Sequence, residues 1–543
     1  MSMQATLTPP REPVAGNRPS LLLNAGLGRV LILGLGLVLL SDKLTSPFMG
    51  HREWNSAEFC IFARNHIAYG LGYTKLYCTW GNSRTPPVEP WRYLNHPPLI
   101  AAWVALPMLL FGDHEWAARL VPIAATLGSA WLLMILVGRL HSPGLGVLTG
   151  LFYVTLPATA YFGRMVDHHP LAQFFSLLML HGYLLWIGLY DGRPRRAGLT
   201  CYALGALLGI GTAWVVAILA GLIWLWNLLR ARHDRVARRL VPWLAAIPAL
   251  GLLAVVLHIL GGCAWNWQML AALLSSRTVG ANAGAGAFTG QEWLQQNWTY
   301  VLSNFTLCAA VAAALYLLLA PSILWLAGPS SPWRRIVPSA TALTPVLLLL
   351  LQGLLWVVAF PNQSWMHDYW QYLLGPFVAL SLASVVLAAA TLLARLTPSL
   401  AGLAALLVVS FMPAFARGRE YLYRSVAGPA DTIEAFIRLA ELVPARAPAM
   451  VSVAYPEPSE RFAEHTNRWR QPQIEYYARR PLILATRLDE IVQNPSGCAA
   501  YVLALDGDPR VRALRDGLAA RYEAVPVRNH HVIFLLDHPR QPP

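Results

Sequence analysis

Four short segments of this chain gather the residue types that move protons or grip anions. The first reads His51-Arg52-Glu53-Trp54-Asn55-Ser56-Ala57-Glu58-Phe59. A carboxylate that reaches a hydroxyl acts as a general base, so Glu53 is either such a base or a solvated loop acid. Glu58 has a local assignment, because Asn55 with Glu58 three residues on is the pattern of a capping box. Trp54 and Phe59 stand at the two positions of a hydrophobic staple, and the helix is expected to run on through Ala63, Arg64 and Asn65. The second segment is Tyr93-Leu94-Asn95-His96-Pro97-Pro98-Leu99. Proline favours the first helical turn, which puts His96 beside a helix N-terminus, and such termini attract anions. The third, Arg164-Met165-Val166-Asp167-His168-His169-Pro170, has two readings. It is a phosphate or metal site at a membrane mouth, or a snorkelling arginine followed by a helix-capping aspartate. The fourth, residues 362–370, carries His367 and Asp368 between aromatic residues.

Composition says what scaffold holds these segments. Of 543 residues, 56% are hydrophobic and 13% charged, too little charge to cover a soluble protein of this size. Apolar runs of about 17–25 residues, long enough to cross a hydrocarbon core, recur through the first three quarters. The net charge of +14 does not imply nucleic acid. Its arginines gather in short clusters between apolar runs, the positive-inside pattern of cytoplasmic loops. The 21 tryptophans suit interfacial aromatic belts. The expected fold class is a polytopic α-helical membrane protein, with about 11 transmembrane helices plus interfacial helices and a C-terminal extracytoplasmic α/β domain.

Arg11, Arg18 and Arg29 place an N-terminal tail, 1–20, in the cytoplasm. Spans are expected at residues 21–40, 116–137, 145–162, 171–190, 199–210, 214–229, 240–260, 300–319, 343–360, 372–393 and 400–415. The membrane domain is thus 21–416. Its external loop, 41–112, ends in an apolar stretch (97–111) too short to cross, read as an interfacial or re-entrant helix. The basic clusters at Arg139, Arg193–Arg196, Arg230–Arg239, Arg334–Arg335 and Arg395 all fall on the cytoplasmic side, so the four polar segments share the other. Residues 417–543 follow an odd number of spans and lie outside the cytoplasm. There, apolar runs at 449–454, 482–485, 500–505 and 532–536 alternate with helical patterns at 432–442 and 510–522, as in a small α/β domain. No phosphate-loop or dinucleotide fingerprint occurs, and the glycine-rich stretch 280–288 is read as a flexible external loop. The six cysteines lack metal-ligand spacing. Cys60 and Cys78 share the external loop and either pair in an oxidising compartment or remain free thiols. The first apolar run lacks a small-residue cleavage site, as an uncleaved span does.

In this order, HREWNSAEFCIFARN, NHPPL, GDHEWAARLVP, FGRMVDHHP and HDYWQYLLGP resemble the C superfamily of membrane glycosyltransferases. The resemblance is nearest to bacterial relatives of dolichyl-phosphate-mannose–protein mannosyltransferases and of lipid A aminoarabinose transferases. It spans residues 31–413 and leaves the tail uncovered. It implies a sugar donor carried on a polyprenyl phosphate, a glycan, lipid or protein acceptor, and transfer at the non-cytoplasmic face of the bacterial inner membrane. It also implies that an acidic residue of the first loop acts on the acceptor. Many relatives carry an Asp-Glu pair about two helical turns before the Ala-Arg of this helix. Alignment on Ala63-Arg64 places Asn55-Ser56 there. Asparagine is no base, so Glu53 becomes the substitute, with Glu58 second.

Displacing a lipid phosphate from an anomeric carbon builds charge on the phosphate, which needs a preorganised cation or metal, while the acceptor hydroxyl sheds a proton. His96, Arg164 and His367 are the candidates for binding the donor phosphate, Glu53 for the base, and Asp167 for orienting the acceptor or helping to hold a divalent metal. The alternative class is a transporter or flippase of lipid-linked sugars. Such proteins place ionisable residues at mid-membrane in broken helices, often within inverted repeats. Here charges gather at span ends and no repeat is visible.

Overall fold

The computed structural model describes residues 25–81, 86–88, 90, 92–278, 288–326, 340–393, 400–424, 430–443, 447–452, 472–505, 508–528 and 530–540. The tail 1–20, nearly all of the glycine-rich stretch, Arg334, Arg335 and Arg395 lie outside the described residues. The chain opens with α1 (Ala25–Leu40), the loop 41–53, α2 (Trp54–Tyr69) and α3 (Leu71–Thr74). A two-residue ladder of β1 (Cys78–Thr79) with β2 (Arg92–Tyr93) precedes α4 (Leu99–Phe111). The helical body continues through α5 (Glu115–Leu140), α6 (Pro143–Thr155), α7 (Pro157–Phe162), α8 (His168–Trp186), α9 (Arg196–Thr212), α10 (Val215–Arg230) and α11 (Arg235–Gly262). It is completed by α12 (Trp267–Thr278), α13 (Gly290–Phe305), α14 (Leu307–Leu326), α15 (Ala340–Ala359), α16 (Pro361–Met366), α17 (Gly375–Leu393) and α18 (Leu400–Arg424).

Among the described residues, three helices are long and apolar enough to cross a membrane: Glu115–Leu140, Arg235–Gly262 and Asp368–Leu393. Shorter apolar helices pack around them. The expected spans differ from the structure where the backbone breaks. The 145–162 run is two helices, because Pro157 lacks the N–H that would continue α6. The 300–319 run turns by 103° between α13 and α14, at Thr306, whose φ of 72° is left-handed and ends a helix. The 372–393 run starts as a 3-10 helix, Asp368–Leu374, and relaxes into α17. The last helix continues past residue 416 to Arg424, because Leu422 and Tyr423 still have apolar and cationic surfaces to pack against.

Helix contact relies on small residues, as expected where lipid removes the usual hydrophobic drive. A Cβ on Gly182 of α8 would lie 2.3 Å from the Tyr202 nitrogen of α9, and one on Gly198 would lie 2.4 Å from the Trp186 nitrogen. The two backbones touch, which fixes α8 and hence its first turn. Asp167 caps that turn, accepting from the His169 N–H at 3.4 Å.

The C-terminal segment has α19 (Ala430–Leu442), β3 (Ala449–Val451), α20 (Pro472–Ala478), β4 (Leu482–Leu484), α21 (Leu488–Gln493), β5 (Ala500–Ala504), α22 (Pro509–Ala519), β6 (Tyr522–Val527) and β7 (His531–Pro539). The strands form one mixed sheet in the order β4-β3-β5-β7-β6. β3 is parallel to β4 and β5, whereas β7 is antiparallel to β5 and β6. α20 docks on the first loop. Tyr477 Oη accepts from the Phe48 N–H at 2.6 Å, and Arg64 of α2 donates to Asp113 at 2.7 Å and to the Tyr476 carbonyl at 3.1 Å.

Candidate functional site

The loop 41–53, the start of α2, the first turn of α5, the α7–α8 connection, the segment before α4 and residues 366–369 converge on one another. Arg119, in the second turn of α5, is fully buried. Its Nη1 donates to the carbonyls of Lys43, Leu44 and Ser46 at 3.2, 2.8 and 2.5 Å, and its Nη2 to Glu53 Oε1 at 2.8 Å. Glu53 Oε2 accepts from the Gly50 N–H at 2.7 Å. Arg164 Nη2 stands 3.8 Å from Glu53 Oε1, its Nη1 donates to the Asp42 carbonyl, and the guanidinium lies over the rings of Tyr161 and Tyr423. Both oxygens of Glu53 are therefore engaged in folding the loop onto α5 and α7. One buried carboxylate answers two buried guanidiniums.

Asn55 does not cap α2. The helix begins one residue earlier, at Trp54, and no side chain caps it. Asn55 instead donates its amide to Asp167 Oδ2 at 2.9 Å, and Ser56 Oγ accepts from the Val166 N–H at 3.0 Å. A long-range partner outcompetes the local capping box. Nor do Trp54 and Phe59 staple together: Trp54 lies against the His367 ring and Phe59 against Phe62 and His96. Glu58 is buried in the same helix. Cys60 and Cys78 are both buried free thiols.

Asp167, His168 and His169 form one buried group whose potential ligand atoms all lie within 4.8 Å of one another. His169 is oriented from both sides. Its Nε2 accepts from Trp356 Nε1 at 3.4 Å, which leaves Nδ1 as the donor to Asp167 Oδ1 at 3.1 Å. His168 Nδ1 comes to 2.5 Å from the same oxygen, yet neither of its ring nitrogens has a hydrogen bond of acceptable angle, although both are buried. A short approach with poor hydrogen-bond geometry is what neighbouring ligands of a shared cation show. Burial alone would raise the Asp167 carboxyl, but His168 and His169 outweigh it and hold the group well below the usual carboxylate range. A permanently ionised carboxylate with imidazoles suits a divalent first-row cation.

A second pairing spans 317 residues: His51 Nε2 bonds Asp368 Oδ2 at 2.6 Å, and Arg52 Nε donates to Asp368 Oδ1 at 3.1 Å. Arg52 has a φ of 62°. That left-handed turn lets two consecutive side chains reach one carboxylate. The three residues expected to bind phosphate fall on different sides of this loop. The His96 ring is 4.5 Å from that of His168, His367 stacks on Tyr369 at 5.1 Å, and Tyr369 also meets His169 at 5.1 Å. A continuous row of rings thus joins His96 to His367 through Asp167's two histidines. Arg164 sits apart, with Glu53. His51, Asp368 and Arg119 lie in segments the sequence marked, but no role for any of them was legible there. Arg119 did carry a signal, a charged side chain near the start of an apolar helix, which is expensive unless paired.

Residues 95–260 match a family described as dolichyl-phosphate-mannose-protein mannosyltransferase, a stretch that holds His96, Arg119, Arg164 and Asp167. No curated protein matches the chain in sequence. Among solved structures, ArnT from Cupriavidus metallidurans bound to undecaprenyl phosphate is similar at 15% identity and a TM-score of 0.59, covering 94% of this chain and 98% of that one. The archaeal oligosaccharyltransferase AglB from Archaeoglobus fulgidus, in complex with an inhibitory peptide and a dolichol-phosphate, is similar at 12% identity and a TM-score of 0.52, covering 93% and 73%. Both are C-superfamily glycosyltransferases, and the fold described above is the one they share, in keeping with the resemblance read from the sequence.

Proposed function

We propose that this membrane protein transfers a sugar from a polyprenyl-phosphate-linked donor to an acceptor hydroxyl or phosphate at the non-cytoplasmic face of a bacterial inner membrane. The observation that carries this reading is the buried Asp167-His168-His169 group set against His96. It places the rings of His168 and His96, 4.5 Å apart, beside a fixed negative charge. His168 Nε2 is buried without a hydrogen-bond partner among the described residues, and an unmet buried polar atom is costly unless a ligand meets it. In this reading the donor phosphate lies alongside His96 and His168, whose rings touch at 4.5 Å, where imidazole N–H groups can donate to its oxygens. Asp167 and His168 are the residues that would hold a divalent cation, with His169 orienting Asp167 through Nδ1; the cation would supply charge neutralisation to the departing phosphate. Asn55, bonded to Asp167, keeps that carboxylate turned toward the first loop. Glu53 folds the loop, with both oxygens already occupied, and Glu58 is enclosed in α2. The gathering of polar groups at the mouth, rather than along the spans, supports transfer over the flippase reading.

Mass spectrometry of lipid-linked sugars and surface glycans in a deletion strain tests this. Accumulated polyprenyl-phosphate sugar together with loss of one glycan modification is the expected result. Unchanged glycan structures, with a lipid-linked pool trapped on the cytoplasmic leaflet, would establish flipping instead.

A further inference from the structure

Transfer releases one proton: the acceptor O–H bond breaks, its oxygen bonds the anomeric carbon, the carbon–phosphate oxygen bond breaks, and a phosphodiester anion leaves as a phosphate monoester dianion. The three acids expected to act here are not placed to take that proton. Glu53 is held by Arg119 and the Gly50 N–H, Glu58 is buried, and Asp167 is kept ionised by two histidines. We infer that His51, backed by Asp368, is the general base, a deepening that rests on the transferase reading above.

The argument is geometric. Asp368 is buried and its Oδ2 accepts from His51 Nε2 at 2.6 Å, so the ring carries its hydrogen on Nε2 and leaves the Nδ1 lone pair facing away from the carboxylate. The side-chain hydrogen bond of His51 runs through Nε2, and the side chain is 19% exposed, which leaves Nδ1 as the nitrogen to meet a hydroxyl. The carboxylate is itself fixed. Arg52 Nε binds its second oxygen at 3.1 Å while Arg52 Nη2 donates to the Met366 carbonyl at 2.6 Å, and Asn304 donates to the Asp368 carbonyl at 2.7 Å. The His51 carbonyl is held by Tyr161 Oη at 3.0 Å. A base oriented by a buried carboxylate through its other nitrogen is the arrangement that stabilises an imidazolium as it forms. The left-handed Arg52 that makes this possible is strained for a non-glycine residue, and such strain collects at functional positions. The titratable and charged groups facing His51 are Asp368, Arg52 and Tyr161, with Tyr300 beyond Arg52 and Glu53 two residues on. The proton passes from the acceptor oxygen to Nδ1 and from there to solvent.

The test uses the full chain in nanodiscs, with undecaprenyl-phosphate mannose as donor probe, an envelope extract of the deletion strain as the source of acceptor hydroxyls, and the release of undecaprenyl phosphate as readout. Affinity for undecaprenyl phosphate alone is measured separately. His51→Gln should lower kcat by about 10²–10⁴-fold with that affinity unchanged. Added imidazole should restore turnover to His51→Ala. A His51→Ala enzyme that imidazole does not rescue, or a His51→Gln enzyme whose undecaprenyl phosphate affinity falls as far as its kcat, overturns the assignment. Wild-type protein with neither binding nor release overturns the transferase reading itself, and the base assignment with it.

Discussion

Arg119→Met isolates the lock that folds the first loop. Methionine keeps the apolar stem but removes a guanidinium that donates to three carbonyls and to Glu53. Both partners are buried, with side-chain exposures of 1% and 5%, so solvent cannot take over the lost contacts. Breaking a buried pair by deleting one partner costs about 3–5 kcal/mol, because the survivor is left uncompensated. Arg164, 3.8 Å from the same oxygen, offsets part of this, which favours the lower end. Glu53→Gln should also destabilise, since Arg119 and Arg164 lose their common anion. The double variant removes the Arg119–Glu53 pair whole, leaving only Arg164 without its anion, and its loss should be at least about 1–2 kcal/mol smaller than the sum of the single losses in a double-mutant cycle. Denaturant unfolding in detergent gives the energies, and hydrogen exchange of residues 42–57 localises them. Additive losses, or an Arg119→Met loss under about 1 kcal/mol, typical of an exposed pair, would refute the lock.

Two further outcomes follow. Burial would raise the Asp113 carboxyl, but Arg64 and Arg479 outweigh it and hold it below the usual range. A depressed carboxyl contributes stability that is present above its unfolded value and lost as pH falls through the folded one. Docking of α20 on α2 should therefore loosen below about pH 4. Limited pepsin digestion between the helical body and the tail should show this, and Asp113→Asn should flatten the dependence; a dependence unchanged in that variant would clear Asp113 of the role. A reporter active only in the cytoplasm, fused after Pro543, should be silent, whereas strong activity would place the tail and the proposed site on the wrong side.

What the sequence made legible was local. Apolar runs located most helices, and the strands at Ala449–Val451, Leu482–Leu484, Ala500–Ala504 and His531–Pro539 fell where alternating composition put them. β6 (Tyr522–Val527) carries no continuous apolar run, and Pro526 lies inside it. It is tolerated because β6 is the last strand of the sheet, where a missing N–H breaks no ladder. The site was legible as segments but not as pairs. His51 and Asp368 were both inside segments singled out for chemistry, yet nothing local ties residues 317 positions apart. Asn55 looked like a helix cap because the capping pattern is a local preference, and a buried aspartate 112 residues away outweighed it. Glu53 looked free for chemistry because nothing local ties it to Arg119, 66 residues on, in a segment singled out only for its family pattern.

The most direct test of the central claim is turnover by the purified protein itself. Given an envelope extract of the deletion strain as acceptor, the wild-type chain in nanodiscs should convert undecaprenyl-phosphate mannose to undecaprenyl phosphate, and Asp167→Asn should abolish conversion while the helical fold persists by circular dichroism. Undecaprenyl phosphate should bind the wild-type chain and compete with the donor. A wild-type protein that leaves this donor and other undecaprenyl-phosphate sugars intact, and that neither binds nor is competed by undecaprenyl phosphate, would contradict the account.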